Sequence, residues 1–186
     1  MTDISNFIDN YLLSNFDDIP EEQRKEILKD INDPTPLGKE LIEEEEGESK
    51  NLAVMIGDMK LGKKIKLAML GNMSARAILI KQNSRQVREA VIKNPRLTDS
   101  EVLEFARNSN LDQHVFKMIA KNATWMKSYN IKCAMVSNPK TPISISIRWI
   151  KFLKDKELRN LSKSKSIPSA LATQVRKLVE IRNKKK

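Results

Sequence analysis

The sequence predicts an all-α fold: a helical-repeat α-solenoid built from three-helix units of about 44 residues, preceded by an acidic N-terminal arm with one or two short helices. Three observations carry that expectation. AVIKNPRLTDSEVLEFA, from Ala90 to Ala106, returns as AMVSNPKTPISISIRWI, from Ala134 to Ile150, with Asn-Pro at Asn94-Pro95 and Asn138-Pro139, an offset of 44 residues. Apolar residues recur three and four positions apart, the period of one helical face. Charge is divided unevenly: residues 1–50 hold 15 acidic and 5 basic side chains, net −10, whereas residues 51–186 hold 29 basic and 9 acidic, net +20. The composition shift places a domain boundary near residue 50, with an arm and linker over 1–50 and a basic repeat domain with a short basic tail over 51–186.

In the arm, Ile4, Phe7, Ile8, Tyr11 and Leu12 share one helical face, with Asp3 and Asp9 on the wet side. A second short helix is expected after Pro20, with Glu21 and Glu22 in its first turn and Ile27, Leu28 and Ile31 buried, ending before Asp33-Pro34. The following stretch, with two prolines, two glycines and the run Glu43 to Glu46, reads as a linker. IGDMKLGKK, Ile56 to Lys64, reads as a loop into the first repeat helix; it lacks the Gly-Lys-Ser/Thr ending of a nucleotide-binding loop.

Helices follow in KKIKLAMLGN, SARAILIKQN and SRQVREAVIKNP. The Asn-Pro step is expected to end a helix through a left-handed asparagine and a proline that cannot continue the ladder. Thr98 with Glu101 forms a capping-box pattern, and in the second copy Thr141 takes the cap with Pro142 at the first helical position. The two complete units are then expected as helices over 98–108, 111–121 and 125–137, and over 141–153, 155–164 and 168–181. ISISIRW, Ile143 to Trp149, alternates with period two as a strand does, but its first copy is helical and Ile143, Ile147 and Ile150 share a helical face, so helix is expected.

VREAVIKNPRLTDSEVLEFA, and more loosely IKCAMVSNPKTPISISIRWI, resembles the bacterial leucine-rich-repeat-variant pattern, in which a helix ending in Ala-Val and Asn-Pro precedes a threonine-capped helix. The stretch from about residue 60 to 180 is also similar to HEAT and armadillo repeats. The resemblance implies a right-handed α-solenoid or compact helical array. It departs from leucine-rich-repeat variants in its longer, three-helix unit and in lacking cluster cysteines.

Chemistry-bearing motifs are sparse. Cys133 is the only cysteine, which excludes an intramolecular disulfide and fits a reducing cytoplasm; His114 is the only histidine. One of each cannot assemble a zinc site of the usual kind, and a Cys–His nucleophile pair is the less favoured reading beside a buried thiol and a half-exposed helix histidine. Asp17-Asp18 and Glu43 to Glu46 read as solvated charge. No cofactor and no catalytic site are expected, and no apolar run approaches the length of a membrane span.

What remains is a basic surface. Arg88, Lys132 and Arg176 stand at successive 44-residue steps, and Arg96 pairs with Lys140 and Arg107 with Lys151 at the same offset, a stripe if the units stack. With 29 Lys and Arg among 136 residues, composition alone produces some such alignments. Trp125 and Tyr129, four apart beside Lys121, Lys127 and Lys132, form a candidate aromatic patch, with packing between units as the plainer reading. Two functions follow from different classes: a non-enzymatic module presenting its basic face to an acidic protein partner, or a DNA- or RNA-binding protein that contacts the phosphate backbone and is modulated by the acidic arm.

Overall fold

The computed structural model describes residues 19–42 and 49–184, and among them all regular structure is helical, with no strand. The amphipathic segment Ile4–Leu12, the Asp17-Asp18 pair and the run Glu43–Glu46 lie outside the described residues. The chain divides into two compact units between Leu97 and Thr98, so the boundary expected near residue 50 falls inside the first of them.

Among its described residues the first unit contains α1 (Glu21–Ile31), α2 (Lys39–Ile42), α3 (Ser49–Asp58), α4 (Leu61–Leu70), α5 (Met73–Leu79) and α6 (Arg85–Ile92). As the apolar spacing requires, α1 buries Ile27 and Ile31, and it packs on α4. Their approach is set by Gly62: a β-carbon there would sit 2.4 Å from Asp30 Cβ and 2.6 Å from the Ile27 carbonyl. Charge follows the same seam, with Lys63 2.9 Å from Asp33, Lys60 3.7 Å from Asp30, and Lys66 donating to the Asp33 carbonyl at 2.7 Å. Thr35 and Lys63 together hold the Asp33 carboxyl well below the usual carboxylate range. The stretch expected as linker is partly structural: Leu41 is fully buried and its carbonyl accepts from Asn72 N at 2.8 Å. The segment from Ile56 to Asp58, expected in a loop, closes α3.

The second unit contains α7 (Asp99–Arg107), α8 (Gln113–Lys121), a 3-10 turn (Trp125–Lys127), α9 (Tyr129–Ser137), α10 (Ile143–Ile150), α11 (Asp155–Lys163) and α12 (Ser169–Asn183). α10 is helical despite its alternating sequence because Ser146 and Ile150, four apart, face the interior. The capping box at Thr98 is complete, with Glu101 N donating to the Thr98 hydroxyl and Thr98 N to the Glu101 carboxylate. Its counterpart is not: Pro142 itself occupies the cap of α10, and the buried Thr141 hydroxyl has no hydrogen-bond partner.

Three pairs of helices share a form of closure that the sequence did not announce. α4 packs against α6, α7 against α9, and α10 against α12. In the first pair, the buried Asn94 amide donates to the carbonyls of Ala68 and Met69, at 2.8 and 3.0 Å, near the end of α4. In the second, the Asn138 amide donates to the Ala106 carbonyl near the end of α7 at 2.9 Å. In the third, Arg182, a further 44 residues on, donates to the carbonyls of Leu153 and Lys151, just past α10, at 2.8 and 2.7 Å. These bonds satisfy carbonyls left over where a helix runs out of amides. They also correct the expectation for Asn-Pro: no non-glycine residue among those described has a positive φ, and Asn138 sits at φ −85°. The asparagine is there for its side chain, not for a left-handed backbone. Arg182, expected in a loose tail, belongs to α12 and also pairs with Asp155 at 2.9 Å.

Candidate basic interaction surface

The net charge lies in the second unit: residues 98–186 carry 19 basic and 7 acidic side chains, net +12, against 15 and 17, net −2, over residues 1–97. The cations singled out by sequence meet different surroundings. Arg88 is half-buried and donates to the Gln82 carbonyl at 2.7 Å, so it braces the turn between α5 and α6. Arg176 is exposed on α12, whereas Lys132 lies over aromatic rings. The 44-residue register therefore does not give these three cations equivalent environments. Arg96 and Lys140 do match: each is exposed just after its Asn-Pro step, with its backbone amide donating to the Oδ1 of Asn94 or Asn138 at 2.7 and 2.9 Å.

Trp125 and Tyr129 do not share a helix. The chain breaks at Ser128, leaving Trp125 buried in the 3-10 turn and Tyr129 half-buried at the start of α9. The aromatic cluster lies instead where α9 meets the end of α10. Trp149 and Phe152 have ring centroids 5.4 Å apart, and Phe152 is 51% exposed. Lys132 Nζ stands 5.7 Å from each ring, and Lys151 Nζ 5.2 Å from Phe152. A second contact sets Lys154 Nζ 5.1 Å from the Tyr129 ring, whose hydroxyl accepts from Lys154 N at 2.9 Å and so anchors the start of α11. Among the described residues, no carboxylate lies within 4 Å of the charged groups of Arg107, Lys132, Lys151 or Lys154. Sequence spacing had pointed to Trp125 because it treated 125–137 as one helix. The signal for the real cluster was the exposed Phe152 two residues past the end of α10, beside Lys151.

Next to the cluster runs an open cleft of about 340 Å³, lined by Asn130, Cys133, Ala134 and Ser137 of α9, by Asn138-Pro139, and by Arg107 at the end of α7. Its floor is made of small side chains one helical turn apart, which keeps the face of α9 shallow. Cys133 is shared between cleft and cluster, since Tyr129, Glu157, Lys132 and Lys154 all act on its thiol. Burial pushes that thiol up, Tyr129 opposes the shift and Glu157 adds to it. Burial likewise pushes the Tyr129 hydroxyl up, to about 12. At neutral pH both groups are uncharged, and Cys133 is a thiol rather than a nucleophilic thiolate. His114 is half-exposed on α8, its backbone amide bonded to Asp112 Oδ1. Among the described residues no group of three or more His, Cys, Asp or Glu is placed to hold a metal ion, and no helix is long and apolar enough to cross a membrane. No protein-family model, curated protein or solved structure matches this chain.

Proposed function

We propose that this chain is a non-enzymatic helical-repeat interaction module of the leucine-rich-repeat-variant, HEAT or armadillo type, whose second unit presents a basic surface to an acidic protein partner. The observation that carries the reading is the set of three lysines, Lys132, Lys151 and Lys154, with no carboxylate within 4 Å of their ammonium groups, that stand over partly exposed rings on a unit of net charge +12. A cationic rim around aromatic surface suits a protein interface, in which rings supply the apolar centre and charges set orientation and encounter rate. The repeat reading is supported by the closures at Asn94, Asn138 and Arg182, each 44 residues after the last. We read those steps as successive three-helix units of an α-solenoid. A thiol held neutral gives no support to a cysteine nucleophile.

A second reading, contact with the phosphate backbone of DNA or RNA, is favoured by the concentration of charge and by the exposed Arg96, Lys140 and Arg176. Salt separates the two. Full-length protein is titrated by fluorescence anisotropy against labelled single- and double-stranded nucleic acid, and against a labelled glutamate-rich helical peptide, from low salt to ~0.15 M. The proposal expects peptide binding to persist with a shallow salt slope and nucleic-acid binding to vanish. Nucleic-acid binding that persists, losing about 0.7–0.9 log units of affinity per log unit of salt for each phosphate contact, would replace it with the second reading.

A further inference from the structure

The outward side of α10 differs from that of α7, the helix 44 residues earlier. On α7 it is an ordinary wet face: Asp99, Ser100 and Glu104 are exposed, and Asn108 follows half-buried at the helix end. The matching positions around α10 hold Ile143, Ser144, Arg148 and Phe152, all exposed. Where α7 has two acids and an amide, α10 thus has an isoleucine, an arginine and a phenylalanine. Burial gives no reason for the apolar choices, since Ile143, Ile147 and Phe152 are 38%, 41% and 51% exposed.

Helical spacing orders these side chains. Ser146 and Ile150 point inward, so Ser144, Arg148 and Lys151 form the outward ridge. Ile143 and Ile147 run along one margin of that ridge. The half-buried Ile145 and Trp149 run along the other, which Phe152 extends past the helix end, its ring 5.4 Å from Trp149. The surroundings are short of negative charge. No carboxylate stands in the chain between Asp112 and Asp155, a stretch with eight lysines and arginines. α10 packs against α9 and α12, which bring one carboxylate between them, Glu180. Among the described residues no carboxylate lies within 4 Å of the charged groups of Arg148 or Lys151.

From this arrangement we infer that the outward face of α10 docks an acidic helical segment of a partner protein. Its carboxylates pair with Arg148 and Lys151 along the ridge, and its apolar side chains reach down both margins, onto Ile143 and Ile147 on one and Phe152 and Trp149 on the other. The inference rests on the function proposed above and names its contact face. An anionic bilayer matches less well, because an interfacial helix sinks a central apolar face with cations at its sides, and here the cations hold the middle. Nucleic acid leaves Ile143 and Ile147 without a partner, and the Phe152 ring that a base would stack on already carries Lys132 and Lys151.

The test compares two charge reversals of equal size, Arg148→Glu on the ridge and Lys117→Glu at an exposed position of α8. Full-length protein is titrated by fluorescence anisotropy at ~0.15 M salt with a labelled helical peptide that carries one row of glutamates flanked on both sides by leucines, and with a scrambled peptide of the same composition. The patterned peptide is expected to bind about tenfold more tightly than the scrambled one. Arg148→Glu should weaken it about tenfold and Ile147→Asp about fivefold, whereas Lys117→Glu changes it less than about twofold. Circular dichroism melts of each variant separate lost contact from lost fold. Equal weakening by the two reversals, or equal binding of the two peptides, would overturn the docking face while leaving the proposed function standing. Binding of neither peptide would overturn both. Vesicles of phosphatidylcholine and phosphatidylserine, or a single-stranded DNA oligonucleotide, whose binding falls with Arg148→Glu while that of the patterned peptide does not, would assign the face to lipid or to nucleic acid instead.

Discussion

Replacing Asn138 by alanine tests the physical account of the Asn-Pro step most directly. The side chain is buried, its Nδ2 donates 2.9 Å to the Ala106 carbonyl, and its Oδ1 accepts 2.9 Å from Lys140 N. Ala106 lies in the last turn of α7, where the helix has no amide left to offer it, so truncation leaves a buried carbonyl without a partner. An unsatisfied buried acceptor costs about 1–3 kcal/mol and the lost turn bond about 0.5–1.5 kcal/mol more, a total of roughly 2–4 kcal/mol. For a chain of this size that corresponds to a fall in melting temperature of roughly 5–15 °C, measured by calorimetry or circular dichroism. The decisive companion is Asn138→Gly. If the residue served a left-handed helix end, glycine would match or exceed asparagine there; if it serves through its amide, glycine loses everything alanine loses and adds unfolded-state entropy. A glycine variant as stable as the parent would refute the reasoning. Asn138→Asp adds a signature of its own: at neutral pH its carboxylate faces the Ala106 carbonyl oxygen, and protonation restores a donor, so this variant should regain stability relative to the parent as pH falls through the carboxylate range.

Gly62→Ala drives a β-carbon into the backbone of α1 and should cost about 1–3 kcal/mol, loosening α1 first, which limited proteolysis near Asp33 would detect; an unchanged cleavage pattern and melt would contradict the close approach. Tyr129 and Cys133 bind their protons more tightly in the fold than in the unfolded chain, so stability should fall as pH rises past 9.0 and continue falling toward about 12. Tyr129→Phe loses about 0.5–1.5 kcal/mol at neutral pH through the missing bond to Lys154 N. It should also show a smaller further loss than the parent above pH 10, and equal losses in pH-dependent melts would reject the assignment. Arg182→Lys keeps the charge but not the forked geometry that reaches two carbonyls and Asp155 together, so hydrogen exchange near the end of α12 should accelerate almost as much as in Arg182→Ala.

Helix content was readable from residue spacing because burial imposes it: Ile27 and Ile31 face inward at the spacing a helix requires, whereas α10 is a helix that turns Ser146 and Ile150 inward and leaves Ile143 and Ile147, expected on its apolar face, exposed. Thr98 with Glu101 was equally readable, since a capping box is a local contract between residues three apart. Thr141 looked the same and behaved differently, because Pro142 took the cap and turned the hydroxyl inward. The closures by Asn94, Asn138 and Arg182 were beyond local reading. Their partners lie 25 to 32 residues away, and no spacing rule links an amide to a carbonyl at that range. Within the candidate site, Lys132 and Lys151 were named by register, but their relation to Phe152 and Trp149 needed the break at Ser128 and the turn after α10, both tertiary outcomes.

The closures also distribute constraint within each group of three helices. In every case the bond runs from the end of the third helix to the end of the first and bypasses the middle one. The first and third helices thus form a frame whose geometry depends on a few particular atoms, while α5 and α8 are capped by Asn72 and Asp112 and α11 packs directly along α12. For an engineer, the turns at 108–110 before α8 and 164–166 after α11, which take part in none of these bonds, are the places to graft a tag or lengthen a loop, and the residues at 94, 138 and 182 are the ones to leave untouched.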